Sequence, residues 1–270
     1  MDGSTGSAGT RDAGEHHHAS RWPLLAAVGA GALYAGVGLA LVGSDLVPGV
    51  LPIALGILGG LGLLAGIGGW VEEAFLRDYR SRAGDRSGLY TGGMVLFLLS
   101  DVATFAAGFV YYGFVRVGAW PPEHLPPLLG SLVVANTLIL LASSVTLHYG
   151  HAALERGGRT RFVWLVGVTL ALGVVFVAGQ AVEYYEFVAN EGFTLSSGAF
   201  GSAFYGLTGL HGLHVSLGVV LLALVFARAL RGHYSEERDA SVRTVSLYWH
   251  FVDAVWVFLV AVLYVGAAVG

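Results

Sequence analysis

The stretch Tyr248-Trp249-His250-Phe251-Val252-Asp253-Ala254-Val255-Trp256 places a histidine, an acid and two tryptophans inside an apolar segment that continues to Val269. A bare charge at bilayer depth costs roughly 2.5 to 3.5 kcal/mol on insertion scales, so such residues persist where they face protein. His250 and Asp253 are three residues apart and share one face of a helix. The stretch therefore predicts a membrane helix that packs within a bundle and is more than a plain anchor.

The composition is that of an integral membrane protein. Hydrophobic residues make up 55% of the chain and charged residues 12%, with a mean hydropathy of +0.70, whereas soluble domains are about 25% charged. A spanning helix needs about 20 apolar residues. Seven stretches qualify, at residues 23–43, 50–70, 92–115, 125–148, 162–188, 199–227 and 245–268. We therefore predict an all-α, polytopic membrane protein with seven transmembrane helices.

The arginines predict the orientation of the chain. All 14 basic residues are arginine, and 4, 3 and 4 of them follow the second, fourth and sixth spans. The opposing loops and the C-terminus carry none, apart from Arg116 at a helix end. By the positive-inside rule the N-terminus is cytoplasmic and the C-terminus lies outside. We expect a multi-pass protein in the plasma membrane of a prokaryote.

Four segments are predicted along the chain. Residues 1–22 are rich in Gly, Ser and Thr and form a disordered cytoplasmic tail. Residues 23–70 form a transmembrane hairpin, residues 71–90 a cytoplasmic loop and residues 91–270 a five-helix bundle. The triplet His16–His18 in the tail is interpreted as solvated, because a closed structural metal site needs four convergent ligands.

Polar residues within the spans are interpreted as a structural network. Since residues three apart share a helix face, Glu183 with Glu186, and His211 with His214, give the fifth and sixth helices a polar stripe. Hydrogen bonds between membrane helices average about 0.6 kcal/mol. The predicted network comprises Asn136, Ser144, Gln180, Glu183, His211, His214, His250 and Asp253. Trp70, Trp120 and Trp249, near span ends, are expected to lie at the membrane interface.

Asp101 is the candidate for a functional proton site. It lies ten residues beyond Thr91, hence about 15 Å into the membrane at about 1.5 Å per residue, close to the midplane. No other acid lies in its helix and no base is expected beside it. Its carboxyl group is therefore expected to be protonated unless water reaches it. We interpret it either as a proton carrier or as a neutral hydrogen-bonding group.

No catalytic residue, metal site or redox group is expected on this chain. It has no cysteine, which excludes disulfides, thiolate-held iron–sulfur clusters and covalent c-type haem. Bis-histidine haem needs imidazoles from two helices at one depth, and His211 and His214 share one helix. The net charge of −4 gives no basic surface for nucleic acid. A b-type haem cytochrome and a proton-coupled transporter, the latter suggested by Asp101 and Glu183, remain alternatives.

From about Trp22 onward the chain resembles subunit III of the haem-copper terminal oxidases, the cytochrome c and quinol oxidases. Five segments carry the resemblance in the family's order. They are GGMVLFLLSDVATF (92–105), Asn136-Thr137 with Ser143-Ser144, Gln180-x-x-Glu183-Tyr184, GLTGLHGLHVSLG (206–218) and YWHFVDAVWVFL (248–259). The chain departs from the family at Asp101, where glutamate is usual.

The resemblance implies a two-helix hairpin and a five-helix bundle separated by a V-shaped cleft that holds lipid. It implies that this chain binds no haem or copper, which belong to partner subunits. The implied partners are subunit I, as the main contact, subunit II and phospholipid. The implied function is that of an accessory, non-redox subunit, which stabilises the catalytic subunit and supports its proton uptake during aerobic electron transport. The electron donor stays open.

Overall fold

The fold is entirely helical in the part of the chain that the computed structural model describes, which is residues 21–42, 50–72, 87–118, 120, 122 and 125–268. Seven long helices follow one another there, and α7 continues through a π-helical turn, Val260–Val265, into a short end, Gly266–Ala268. The helices are α1 Trp22–Val42, α2 Val50–Val71, α3 Ser87–Gly118, α4 Ser131–Leu154, α5 Arg159–Ala189, α6 Gly198–Leu230 and α7 Ala240–Leu259. The predicted all-α class with seven helices is confirmed.

The helices have the length and apolarity of membrane spans. Among the described residues six helices, α2 to α7, are long and apolar enough to cross a bilayer, and α1 contributes the shorter apolar segment Trp22–Gly36. At about 1.5 Å per residue, 20 residues cover the hydrocarbon core of about 30 Å. The chain is therefore a multi-pass membrane protein.

Four predicted span boundaries differ from the helix ends by five or six residues: the third and seventh spans begin earlier, at Ser87 and Ala240, and the fourth begins and ends later, at Ser131 and Leu154. The fourth span was expected to begin at Leu125, but α4 begins at Ser131. Pro126 and Pro127 lack an N–H group and disfavour the helical conformation of the residue before them, so this stretch stays non-helical. The third span was expected to begin at Gly92, but α3 already begins at Ser87, so residues 87–91 extend the helix beyond the apolar stretch.

The chain forms two compact units, Met1–Ala83 and Gly84–Gly270. In the first unit α1 packs along α2. Where the structure describes burial in this hairpin, four residues are buried, and all four are glycine: Gly29, Gly36, Gly59 and Gly66. A methyl group at any of these positions would collide with the backbone of the facing helix. The two helices are thus held at backbone contact distance by small residues.

The second unit is organised around α7. This helix packs against α3, α4 and α6, while α5 packs against α4 and α6. The aromatic side chains of Tyr248, Trp249, Trp256 and Tyr264 are among the largest fully buried groups of the chain. Each of them carries a polar atom that needs a partner in an apolar interior. The position of these partners defines the polar interior of the bundle.

Candidate functional site

Asp101 and His214 meet inside the bundle. Asp101 lies on α3 and is 9% exposed, and its Oδ2 lies 3.4 Å from Nε2 of His214 on α6. The expectation that no base lies beside this carboxyl group was therefore wrong. The two residues are remote in sequence, and their meeting depends on the packing of α3 against α6, which no spacing rule within one helix reveals.

The hydrogen bond of the second ring nitrogen of His214 shows which nitrogen of the ring carries a hydrogen. Its Nδ1 lies 2.8 Å from the carbonyl oxygen of Leu210. Because a carbonyl oxygen can only accept, Nδ1 carries a hydrogen and donates it. In a neutral imidazole the other nitrogen then presents a lone pair. In its neutral form His214 therefore presents Nε2 as an acceptor toward Asp101 Oδ2, a buried oxygen that makes no hydrogen bond within the described residues.

A proton at this contact can be held in two ways that leave the pair without net charge. Either a protonated carboxyl group faces a neutral ring, or a carboxylate faces an imidazolium. The ring of Phe105, 5.2 Å from the imidazole centroid, and the hydroxyl of Tyr248, which donates to the His214 carbonyl at 2.9 Å, complete the surroundings.

A row of hydrogen bonds joins α7 to α4. Trp249 donates from Nε1 to Ser143 Oγ at 2.9 Å, and Trp256 donates from Nε1 to Thr137 Oγ1 at 3.0 Å. Between them, His250 Nδ1 lies 3.2 Å from Ser144 Oγ. Trp249 is fully buried against neighbouring helices, and its expected place at the membrane interface stays a prediction. Hydroxyl groups on α4 are thus the hydrogen-bond partners of both tryptophans and of the histidine on α7.

A second buried carboxyl group, that of Glu183 on α5, accepts two hydrogen bonds. Gln180 Nε2 donates to Glu183 Oε2 at 2.7 Å, and Tyr264 donates from its hydroxyl to the same oxygen at 3.0 Å. Glu186 is exposed, so the expected sharing of one polar face with Glu183 was wrong. Positions three apart differ by about 60° around a helix, which is enough to separate a buried from an exposed side chain.

Tyr264 was missed by the sequence analysis. It lies in the π-helical turn Val260–Val265, where an extra residue per turn rotates the following side chains. The same turn presents the carbonyl oxygen of Val262 to the hydroxyl of Tyr112 on α3, at 3.3 Å. A turn of this kind has no signature in an apolar run of valine, alanine and leucine, so only its position at the end of a polar motif could have drawn attention to it.

The remaining network residues line the same interior. His211 is fully buried, lies 3.2 Å from the carbonyl oxygen of Val252 through Nε2, and stacks on Trp256 at 5.0 Å between centroids. Asn136 packs where a side chain on Gly179 would collide with it, and Asp253 faces Ser144. His211 and His214 therefore contact different helices, α7 and α3, and do not act as one pair.

The chain is similar to known proteins of one family. The family model described as "Cytochrome c oxidase subunit III" matches residues 16–268. Cytochrome c oxidase subunit 3 of Synechocystis sp. is 40% identical over 175 residues, which are 64% of this chain and 73% of that protein. The protein of the same name from Formosania lacustris is 35% identical over 256 residues, 91% of this chain and 94% of its own length. That from Sus scrofa is 39% identical over 180 residues, 64% of this chain and 67% of that protein.

Proposed function

Since the chain belongs to the cytochrome c oxidase subunit III family, we propose that it packs against subunit I of a haem-copper oxidase, in a complex that also contains subunit II. The chain is an accessory subunit of the oxidase, and its place is in an oxidase complex. Oxygen reduction, with its haem and copper, is assigned to the partner subunits. The alternatives of a b-type haem cytochrome and a transporter are not favoured.

The observation that carries the finer proposal is the contact between Asp101 and His214. A carboxyl and an imidazole that share one proton can exchange it without placing net charge in the membrane interior. We therefore assign to this pair a supporting role in proton uptake by the catalytic subunit during sustained turnover. The shorter aspartate replaces the family's glutamate here, and the distance of 3.4 Å to His214 supports the view that aspartate still reaches a partner.

A second part of the proposal concerns stability and lipid. The described residues of the bundle carry many exposed apolar side chains, for example Leu96, Phe114 and Leu213. Large apolar surfaces of a membrane protein need lipid or protein to cover them. We propose that subunit I and phospholipid cover these surfaces and that the contact stabilises the catalytic subunit. The lipid-filled cleft between hairpin and bundle stays a prediction.

The orientation is also proposed. Arginines after the second, fourth and sixth spans favour a cytoplasmic N-terminus and an external C-terminus in a prokaryotic plasma membrane. Because the chain has no cysteine, single cysteines at Ser235 and Gly270 report on sidedness without interference. An impermeant thiol reagent added to intact cells should label the second and spare the first. The opposite pattern would reverse the topology.

The test of the function is isolation of the complex. The full chain, tagged and extracted in mild detergent, should bring the haem-containing oxidase subunits with it, as identified by mass spectrometry. Oxidase prepared without the chain should start oxygen consumption at nearly the normal rate and then lose activity sooner than the complete complex. Recovery of the chain without any oxidase subunit, or equal persistence of activity with and without it, would contradict the proposal.

A further inference from the structure

Three metal-binding side chains meet where α4 ends and α7 begins. His151 Nε2 lies 3.0 Å from Asp239 Oδ2 and 3.9 Å from Glu155 Oε1, and the three ligand atoms all lie within 4.8 Å of one another. None of these residues takes part in the Asp101–His214 contact. We propose that this cluster is a binding site for a divalent transition-metal ion of the zinc type.

The spacing of the ligand atoms suits such an ion. Zinc binds nitrogen at about 2.0–2.1 Å and carboxylate oxygen at about 2.0–2.2 Å in a tetrahedron, so neighbouring ligand atoms lie about 3.3 Å apart. The two distances from His151 bracket that value. His151 and Glu155 are four residues apart and share one face of α4, while Asp239 approaches from the residue before α7. Water would supply the fourth ligand on the open side, where Glu155 is exposed.

The chemistry of the ligands narrows the choice of ion. A neutral imidazole with two carboxylates suits zinc and its neighbours in the first transition row, whereas magnesium and calcium prefer oxygen alone. Asp239 accepts a hydrogen bond from Arg243 Nη2, which is the role of a carboxylate oxygen and also the form that binds a metal ion. The metal takes the place of the proton between His151 Nε2 and Asp239, and that proton is released to water.

The two helix ends act on a cation in opposite directions. His151 and Glu155 lie at the C-terminal end of α4, which carries partial negative charge, whereas Asp239 precedes the N-terminal end of α7, which carries partial positive charge. One residue opposes the metal, because Arg243 Nη2 donates to Asp239 Oδ2 at 3.1 Å. Its side chain is about half exposed and can turn to water when a metal enters. Arg243 therefore distinguishes a metal site from a plain ion pair. Replacing Arg243 should weaken an ion-pair network at Asp239 but should raise the affinity for a metal ion.

The experiment measures zinc binding to the purified oxidase complex that contains the full chain. All variants are made in a background in which His16, His17 and His18 are replaced by serine, so that the tail cannot bind the ion. Equilibrium dialysis with zinc chloride gives the number of ions and the dissociation constant. His148→Gln is the matched control, because His148 lies one turn before His151 on the same helix and is exposed. Sites on other subunits are common to all preparations and cancel in the comparison.

The two informative variants should change the zinc affinity in opposite directions. His151→Gln should weaken one zinc site by about tenfold or more, since even groups that only orient a ligand contribute 10- to 100-fold. Arg243→Gln should tighten the same site several-fold, and His148→Gln should leave it unchanged. If His151→Gln does not assemble, Glu155→Gln and Arg243→Gln still decide the matter. Equal zinc binding in His151→Gln and in His148→Gln, or weaker binding in Arg243→Gln, would overturn the proposal.

Discussion

The two units of this chain solve the same packing problem in different ways. In the hairpin, the buried residues that the structure describes are all glycine, and α1 and α2 approach until their backbones touch. In the bundle, large aromatic side chains fill the space between helices, and their polar atoms are bonded to hydroxyl, carboxyl and carbonyl groups on other helices. The described part of the hairpin packs through close contact at glycine, and the bundle packs through aromatic side chains and hydrogen bonds between helices.

The difference between the two units in packing follows from the lipid that surrounds membrane helices. Lipid tails are as apolar as leucine, so apolar side chains gain little by leaving lipid for a helix interface. Close approach through glycine gains dispersion contacts without any chemical specificity, whereas hydrogen bonds specify which helix faces which. A unit that must hold Asp101 and His214 at a fixed distance needs the second kind of contact, and the bundle has it.

The largest expected effect comes from the centre of the bundle. Trp249 is fully buried and touches Gly173 and Gly218, where added side chains would collide with its ring. Trp249→Ala should lower the free energy of unfolding of the full chain in detergent micelles by about 3–5 kcal/mol. Trp164→Ala is the matched control, because Trp164 is 73% exposed, and it should change the value by less than about 0.5 kcal/mol. Similar losses for both would show that burial in the bundle does not hold it together.

A smaller loss is expected from the hairpin. A methyl group on Gly29 would collide with the backbone of Leu63, whereas one on Gly31 meets nothing. Gly29→Ala should destabilise the hairpin by about 1–3 kcal/mol through overpacking. Gly31→Ala should be neutral or stabilising by up to about 1 kcal/mol, since alanine favours helix. Thermal unfolding of the full chain in detergent micelles compares the two variants. Equal behaviour would contradict packing through glycine.

The smallest of these effects tests a single bond in the bundle. Tyr264→Phe removes the donor to Glu183 and keeps the ring, so it should cost about 0.5–1.5 kcal/mol of unfolding free energy. Tyr185→Phe, on an exposed position of α5, serves as the control and should change little. A loss of several kcal/mol in Tyr264→Phe would mean that the π-helical turn itself depends on the hydroxyl.

Much of this fold is predictable from the sequence, and the reasons are local. The length and apolarity of the spans predict seven helices, and Pro126 and Pro127 carried the signal that should have placed the start of α4 later. The motif residues Ser143, Ser144 and Trp249 are visible as polar or amphipathic groups in apolar surroundings.

What the sequence does not provide is the rotation of each helix about its axis. That rotation decides that Trp249 meets Ser143 inside the bundle, and that Glu186 is exposed while Glu183 is buried. It also brings His214 to Asp101 from a helix more than a hundred residues away in sequence. Such contacts result from the packing of all five helices together.

The central claim is that Asp101 and His214, whose side chains approach to 3.4 Å, share one proton. The most direct measurement is the infrared difference spectrum between oxidase complexes with the natural chain and with Asp101→Asn, with Asp101→Glu as the variant that restores the family residue. We expect a protonated carboxyl band to disappear in Asp101→Asn and to persist, shifted, in Asp101→Glu, while initial oxygen consumption changes little. Loss of carboxylate bands instead, or an Asp101→Asn complex that assembles normally but is inactive from the first turnover, would contradict this account.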